Sequence, residues 1–186
     1  MRADARRNRD RIVQTALDLL AERGPGVSME EIARAAGLGV GTLYRHFPDR
    51  RGLLEEIGMD VLHRLRAEVR SLVGRELPGW EVLNLLVGYC TGQPLALLKS
   101  LAEDTAEDTA EDGAGTCTVG ARERIELQRE VTGLLEEIAG RAQREGAVRG
   151  DITPGEVIEL FSATVCRPGA RPGDAMTRVM LDGLRA

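Results

Sequence analysis

Aromatic side chains make up only 3% of this 186-residue sequence, and the alternation of β-branched and polar residues that marks half-buried strands is scarce. Ala, Leu, Glu and Arg dominate in their place, so the composition points to an all-α fold. No run approaches the roughly 18 uninterrupted apolar residues of a membrane span. The charged start M-R-A-D-A-R-R-N-R-D lacks the apolar segment of a secretory signal, and a cytoplasmic protein with no membrane association is expected. Cysteine is sparse. Cys90, Cys117 and Cys166 are odd in number and far apart, with no C-x-x-C and no nearby histidine, which excludes a disulfide framework and a zinc site; buried or idle thiols are expected, and no metal. G-x-S-x-G, the P-loop and H-E-x-x-H are all missing. The glycines of G-L-G-V-G-T lie in a turn between helices and not after a strand, so the dinucleotide-binding reading fails its context test. Neither enzymatic activity nor a cofactor is expected.

The net charge of −5 at first argues against a nucleic-acid partner. Its distribution argues the other way. Residues 1–52 hold ten Arg against seven acidic residues, a net +3, which leaves −8 on the other 134 residues. The basic end is the one that phosphate binding would use.

That end contains S-M-E-E-I-A-R-A-A-G-L-G-V-G-T-L-Y-R-H-F, Ser28 to Phe47. Ser28 followed by Glu31 is a capping box, so a helix is expected from Met29. Ile32, Ala33 and Ala36 share one face of it, and Gly37 supplies the positive φ that ends a helix. Leu38 anchors the turn. Leu43 and Phe47 then form the buried side of a second helix that carries Thr42, Tyr44, Arg45 and His46 on its other side. Two short helices joined through a glycine turn are a helix-turn-helix, whose second helix enters the DNA major groove. Thr, Tyr and His can donate to phosphate oxygens, and Arg can pair with phosphate or with guanine O6 and N7. Pro48 stops the second helix, Asp49 caps the next, and Arg50 and Arg51 open it within reach of a phosphate.

The run G-T-L-Y-R-H-F-P-D-R from Gly41 to Arg50, preceded by I-A-R-A-A-G and followed by Leu53 and Leu54, resembles the signature of the tetracycline-repressor (TetR) family of bacterial transcription regulators. The end, R-P-G-D-A-M-T-R-V-M-L-D-G-L-R-A, resembles the last helix of many of its actinobacterial-type members. The resemblance implies a three-helix head on a larger helical regulatory and dimerisation domain, with the boundary placed between residues 52 and 53. It also implies that Thr42, Tyr44, His46 and Ser28 meet backbone phosphates while Val40, Gly41 and Arg45 face base edges. Arg50 stands where the family has a lysine, which keeps the charge but turns a point donor into a fork.

Outside the motif the sequence is a series of amphipathic helices. Ile12, Val13, Ala16, Leu17 and Leu20 line a support helix over Arg9 to Arg23, broken by G-P-G. Ahead of it, Arg2, Arg6 and Arg7 are read either as a disordered arm over the minor groove or as residues that only solvate a terminus. Leu53 to Val73 reads as one long helix with Leu54, Ile57, Val61, Leu62, Leu65 and Val69 inward. Trp80 to Cys90 and Pro94 to Leu101 read as two more helices. The repeat A-E-D-T-A-E-D-T-A-E-D over residues 102–112 sets like charges at i+4, and a frayed solvated segment is expected; the D-x-D-x-D-G spacing of a calcium loop is absent. Ile125, Leu127, Val131, Leu134, Leu135, Ile138 and Ala142 line a helix over Arg122 to Arg144, ended by Gly146. Thr153 with Glu156 is a second capping box, with Pro154 at the first helical position.

Two further expectations rest on the resemblance as well as on the pattern. The last two helices, through Val157, Ile158, Phe161, Val165, Met176, Val179, Met180 and Leu184, are expected to pair with their copies in a four-helix homodimer interface. Residues 53–147 are expected to enclose a cavity for an apolar small-molecule effector, lined by Trp80, Leu83, Leu86, Tyr89, Leu97, Leu98 and Leu101. The competing expectation is that these side chains close into a solid core, helped by Gly88 and Gly92. For the whole protein, a homodimeric repressor of double-stranded DNA that responds to a ligand stands against an all-α module whose helix-turn-helix packs on protein. The face formed by Thr42, Tyr44, Arg45 and His46 favours DNA, because a protein-docking helix would be apolar there.

Overall fold

The computed structural model describes residues 2–24, 26–91, 93, 95, 119–167 and 169–186. Among them are eight helices and no strand: α1 (Arg2–Arg23), α2 (Met29–Ala35), α3 (Val40–His46), α4 (Arg50–Val73), α5 (Gly79–Thr91), α6 (Val119–Arg144), α7 (Pro154–Val165) and α8 (Ala175–Leu184). Apart from Leu95, which is half-buried against the core of the second unit, the expected helix over Pro94 to Leu101 lies outside the described residues, as do the A-E-D-T repeat, Cys117 and the candidate pocket residues Leu97, Leu98 and Leu101. No described helix is long and apolar enough to cross a membrane.

The chain divides into two compact units within α4, between Asp60 and Val61, further along than the expected boundary after residue 52. The reason is the spacing of the α4 core residues. Leu53 and Ile57 are buried in the first unit, and Val61, Leu65, Val69 and Leu72 in the second. Four steps of four residues and a last one of three carry an apolar stripe that winds slowly along one continuous helix, so no loop is needed to separate the units. Leu54 and Leu62, expected inward, are only half-buried, one residue around from that stripe.

In the first unit Ile12, Val13, Ala16, Leu17, Leu20, Ile32, Ala33, Leu43, Phe47, Leu53 and Ile57 are buried. Helix α1 starts at Arg2, so Arg2, Arg6 and Arg7 belong to a helix and not to an extended arm. Arg and Ala are strong helix formers, Asp4 suits the first turn, and Arg7 pairs with Asp4 one turn away. Each lowers the cost of continuing the helix ahead of Arg9.

The second unit has a core of residues from α4 to α8, including Leu83, Leu86, Val131, Ile138, Val157, Phe161 and Leu184. Helix α5 enters it at a glycine because nothing larger fits. A Cβ on Gly79 would stand 2.6 Å from the Ala142 nitrogen and 2.8 Å from its Cα, while the Gly79 N–H donates to Glu145 Oε2 at 2.7 Å. Arg66 Nη1 donates to Glu130 Oε2 at 3.4 Å and Arg70 pairs with the same carboxylate, fastening α4 to α6. The chain end is also fixed, since Arg149 N–H donates to the Leu184 carbonyl at 2.9 Å and the Arg185 guanidinium lies 5.0 Å over the Trp80 ring. Ile125, expected inward on α6, is exposed. It precedes the buried Leu127 by two residues, which is about 200° around a helix.

Candidate nucleic-acid interface

Helix α2 is started by its own side chains. The Glu31 N–H donates to Ser28 Oγ at 3.2 Å, and Glu31 Oε2 accepts from the Ser28 N–H and hydroxyl, each at 2.9 Å. These two donors hold the Glu31 carboxyl below the ordinary glutamate range, the backbone N–H first. The helix ends as the sequence requires. Gly37 has φ +67°, its N–H donates to the Arg34 carbonyl at 3.1 Å, and the Leu38 N–H reaches back to the Ala33 carbonyl at 2.9 Å. That pair of bonds is a Schellman closure, and the left-handed residue in it is one that a Cβ would strain.

The turn delivers the chain to Gly39 and α3, a helix of seven residues whose N-cap makes no side-chain bond. Leu43 and Phe47 are buried beneath it. Val40, Gly41, Tyr44 and Arg45 are exposed on the opposite side, and Thr42 and His46 are half-buried at its margins. The face that leaves the protein therefore presents a hydroxyl, a phenol, a guanidinium and an imidazole around the bare backbone of Gly41. Tyr44 is not idle. Its hydroxyl lies 3.4 Å from Glu30 Oε1 on α2, which holds the ring along the outer surface.

Ser28 and Arg50, 22 positions apart in sequence, are brought together. Arg50 donates from Nη1 to the carbonyl of Val27, the residue before Ser28, and Asp49 Oδ1 caps α4 by accepting the Gly52 N–H at 2.7 Å. All eight residues predicted to meet DNA thus belong to α3 or to the two helix starts beside it.

Arg9, Glu56 and Glu30 were not predicted. Arg9 donates to both oxygens of Glu56 and to the His46 carbonyl. Glu56 lies 47 residues from Arg9, and no local pattern links two such residues.

The residues expected at the dimer interface divide into two groups. Val157, Ile158, Phe161, Val165 and Leu184 are buried in the core of the second unit of the same chain. The spacing 157, 158, 161, 165 marks a buried face correctly, but α5 and α6 of the same chain cover it. Met176 and Val179 are 60% and 71% exposed, as is Leu160 at 49%, which had not been predicted; Met180 is half-buried. Of the expected pocket residues, Leu83 and Leu86 are buried in that core, and Trp80 and Tyr89 are half-buried against it. Among the described residues no group of His, Cys, Asp and Glu could hold a metal ion.

Comparison with known proteins identifies the family and the fold. The family "Bacterial regulatory proteins, tetR family" matches residues 12–57, and "Transcriptional regulator SbtR-like, C-terminal domain" matches residues 93–186. An HTH-type transcriptional regulator of Staphylococcus aureus is 50% identical over 54 residues, a match spanning 28% of this chain and 29% of that protein. Among solved structures, the TetR transcription regulatory protein of Mycobacterium vanbaalenii is 31% identical, covers 100% of this chain over 99% of its own, and superposes with a TM-score of 0.60. A TetR-family regulator of Agrobacterium tumefaciens, 21% identical over 98% of this chain and 100% of its own, shares the fold with a TM-score of 0.72. With its head, its C-terminal region and its full length each matched, the chain belongs to the TetR family of bacterial transcription regulators.

Proposed function

We propose that this regulator is a cytoplasmic homodimeric repressor that reads a pseudo-palindromic operator with the outer face of α3 and releases it when a small apolar effector binds. The observation that carries the reading is the two-sidedness of α3: Leu43 and Phe47 are fully used by the core, while Val40, Gly41, Tyr44 and Arg45 are exposed. In this reading Arg45 takes a base edge as a bidentate donor, with Val40 and Gly41 allowing close approach. Thr42, Tyr44 and His46 donate to phosphates, and Ser28 and Arg50 act together on a further one. Two-fold symmetry of the protein then demands two-fold symmetry of the operator, with half-sites about 34 to 36 Å apart or at a comparable spacing.

The dimer is assigned to the outward side chains Leu160, Met176 and Val179, with Met180 at their edge. An apolar face of that exposure is stabilised by covering it. The effector is assigned to the second unit near Trp80 and Tyr89, whose half-buried rings offer apolar surface. Helix α4 belongs to both units, so a shift of its second half is transmitted to the first. A coupling of about 1 to 3 kcal/mol corresponds to roughly 5- to 150-fold in DNA affinity, and operator DNA must weaken effector binding by the same factor.

Selection of bound fragments from a random duplex library tests the reading directly. A recovered pseudo-palindrome, bound by the wild type, bound more weakly by Arg45→Ala by about 1 to 3 kcal/mol, and released steeply between about 50 and 200 mM salt, is the expected result. Recovery of no consensus, or binding indifferent to salt and to Arg45, would reject it.

A further inference from the structure

Helix α3 has few directional contacts. It is seven residues long, its N-cap makes no side-chain bond, and Leu43 and Phe47 beneath it make apolar contacts that do not fix its angle. At its N-terminal end the Gly37 turn supplies direction. At its C-terminal end, beside the 3.4 Å contact of the Tyr44 hydroxyl with Glu30, the direction comes from a side chain of α1. Arg9 Nε and Nη2 donate to Glu56 Oε1 and Oε2 at 3.1 and 3.0 Å, and Nη1 donates to the His46 carbonyl at 3.1 Å. Its guanidinium carbon also lies 4.4 Å from the centre of the Phe47 ring. That carbonyl is one of the last four of α3, which have no partner within the helix. A cation there also suits the negative end of the helix dipole.

We infer that Arg9 is a positioning residue for DNA recognition: without touching DNA, it sets the angle of α3 by tying the helix's C-terminal carbonyl to α1 and, through Glu56, to α4. Three features support a positioning role over a phosphate contact or a general contribution to stability. The guanidinium is shared between a carboxylate and a carbonyl, so its charge is matched within the head. The fork of Arg is used on three sides, by the carboxylate pair, the carbonyl and the ring, which a lysine could not reproduce. Both side chains of the ion pair are about two-fifths exposed, and pairs of that exposure contribute little to global stability, so what the contact chiefly supplies is geometry. All of these groups lie within the first unit.

The inference rests on α3 being the helix that reads DNA, and the test separates the two. Affinities of wild type, Arg9→Met, Arg9→Lys, Glu56→Gln and Arg45→Ala are measured on a selected operator and on a scrambled duplex of equal length, across a salt series, with thermal midpoints recorded for each. For Arg9→Met the expected result is a loss of about tenfold in the ratio of operator to scrambled affinity, with the scrambled affinity, the salt slope and the folded state retained. Arg9→Lys should recover little of that loss, and Glu56→Gln should reproduce part of it in a chain whose packing is unaltered. If Arg9→Met fails to fold, the Glu56→Gln ratio decides. Wild-type discrimination in folded Arg9→Met or Glu56→Gln overturns the inference. So does an equal loss on both duplexes with the salt slope reduced by about one, which would make Arg9 a phosphate contact. If Arg45→Ala also discriminates like the wild type, the reading of α3 falls and the inference with it, whereas a sensitive Arg45→Ala beside an insensitive Arg9→Met overturns the inference alone.

Discussion

Helices α3 and α8 are both short, both packed on one side, and both open on the other, yet they offer opposite chemistry. The open side of α3 carries Thr42, Tyr44, Arg45 and His46, which can donate hydrogen bonds and, at Arg45, charge. The open side of α8 carries Met176 and Val179, which can do neither, beside the exposed Arg178 and Asp182. Water serves the first face at little cost and the second only at the cost of ordered apolar surface. What each helix buries is unremarkable by comparison: Leu43 in one and Leu184 in the other are simply core.

The sharpest test sets a buried position beside an open one. Phe161→Glu places a carboxylate where the side chain is 3% exposed and is expected to cost about 3 to 5 kcal/mol in the second unit, because burying a charge in an apolar core is expensive. Val179→Glu should leave the fold intact and shift sedimentation from dimer to monomer. Equal thermal midpoints for the two variants would erase the distinction between the inward and outward faces. For α3, Arg45→Ala should weaken operator binding by about 1 to 3 kcal/mol and relax specificity, with an unchanged midpoint, as read by mobility shift and thermal melting.

Gly79→Ala is expected to cost about 1 to 3 kcal/mol in urea unfolding, because the Ala142 backbone stands where the methyl group would go. A neutral outcome would mean that α5 can slide along α6, and the second unit would then be less rigid than its packing implies.

The smallest effects compare the two capping boxes, Ser28 with Glu31 and Thr153 with Glu156. Ser28→Ala and Thr153→Ala should each cost about 1 kcal/mol. Both glutamates are held below their ordinary range near 4.5 by the N–H and hydroxyl of their own N-cap residues. A lowered folded value means that the stabilisation is complete above that range and is lost as pH falls through the folded value. Wild type should therefore lose stability on acidification from pH 5, and Glu31→Gln and Glu156→Gln should each show less of that loss in urea midpoints. Parallel profiles for wild type and variants would remove the capping boxes as its cause.

Local chemistry was legible without the structure. Both capping boxes, the Gly37 turn, Pro154 at a first helical position and the inward Leu43 and Phe47 follow from contacts within about four residues, where chain geometry leaves few choices. The outward polar face of α3 follows for the same reason, and with it the candidate site. Which buried stripe faces which neighbour does not follow. Periodicity marks Val157, Ile158, Phe161 and Val165 as one apolar face, but it cannot say whether that face is closed by α5 and α6 or by a second chain, because both remove the same area from water. Nor could it pair Arg9 with Glu56 and the His46 carbonyl across three helices, or let α4 run through the expected boundary to serve both units. The sequence by itself determined where helices start and stop and which side of each avoids water, since those are short-range properties of the chain. Only the tertiary structure decided which neighbour covers each buried stripe and which distant side chain ties the end of α3, since these depend on how the helices pack on one another.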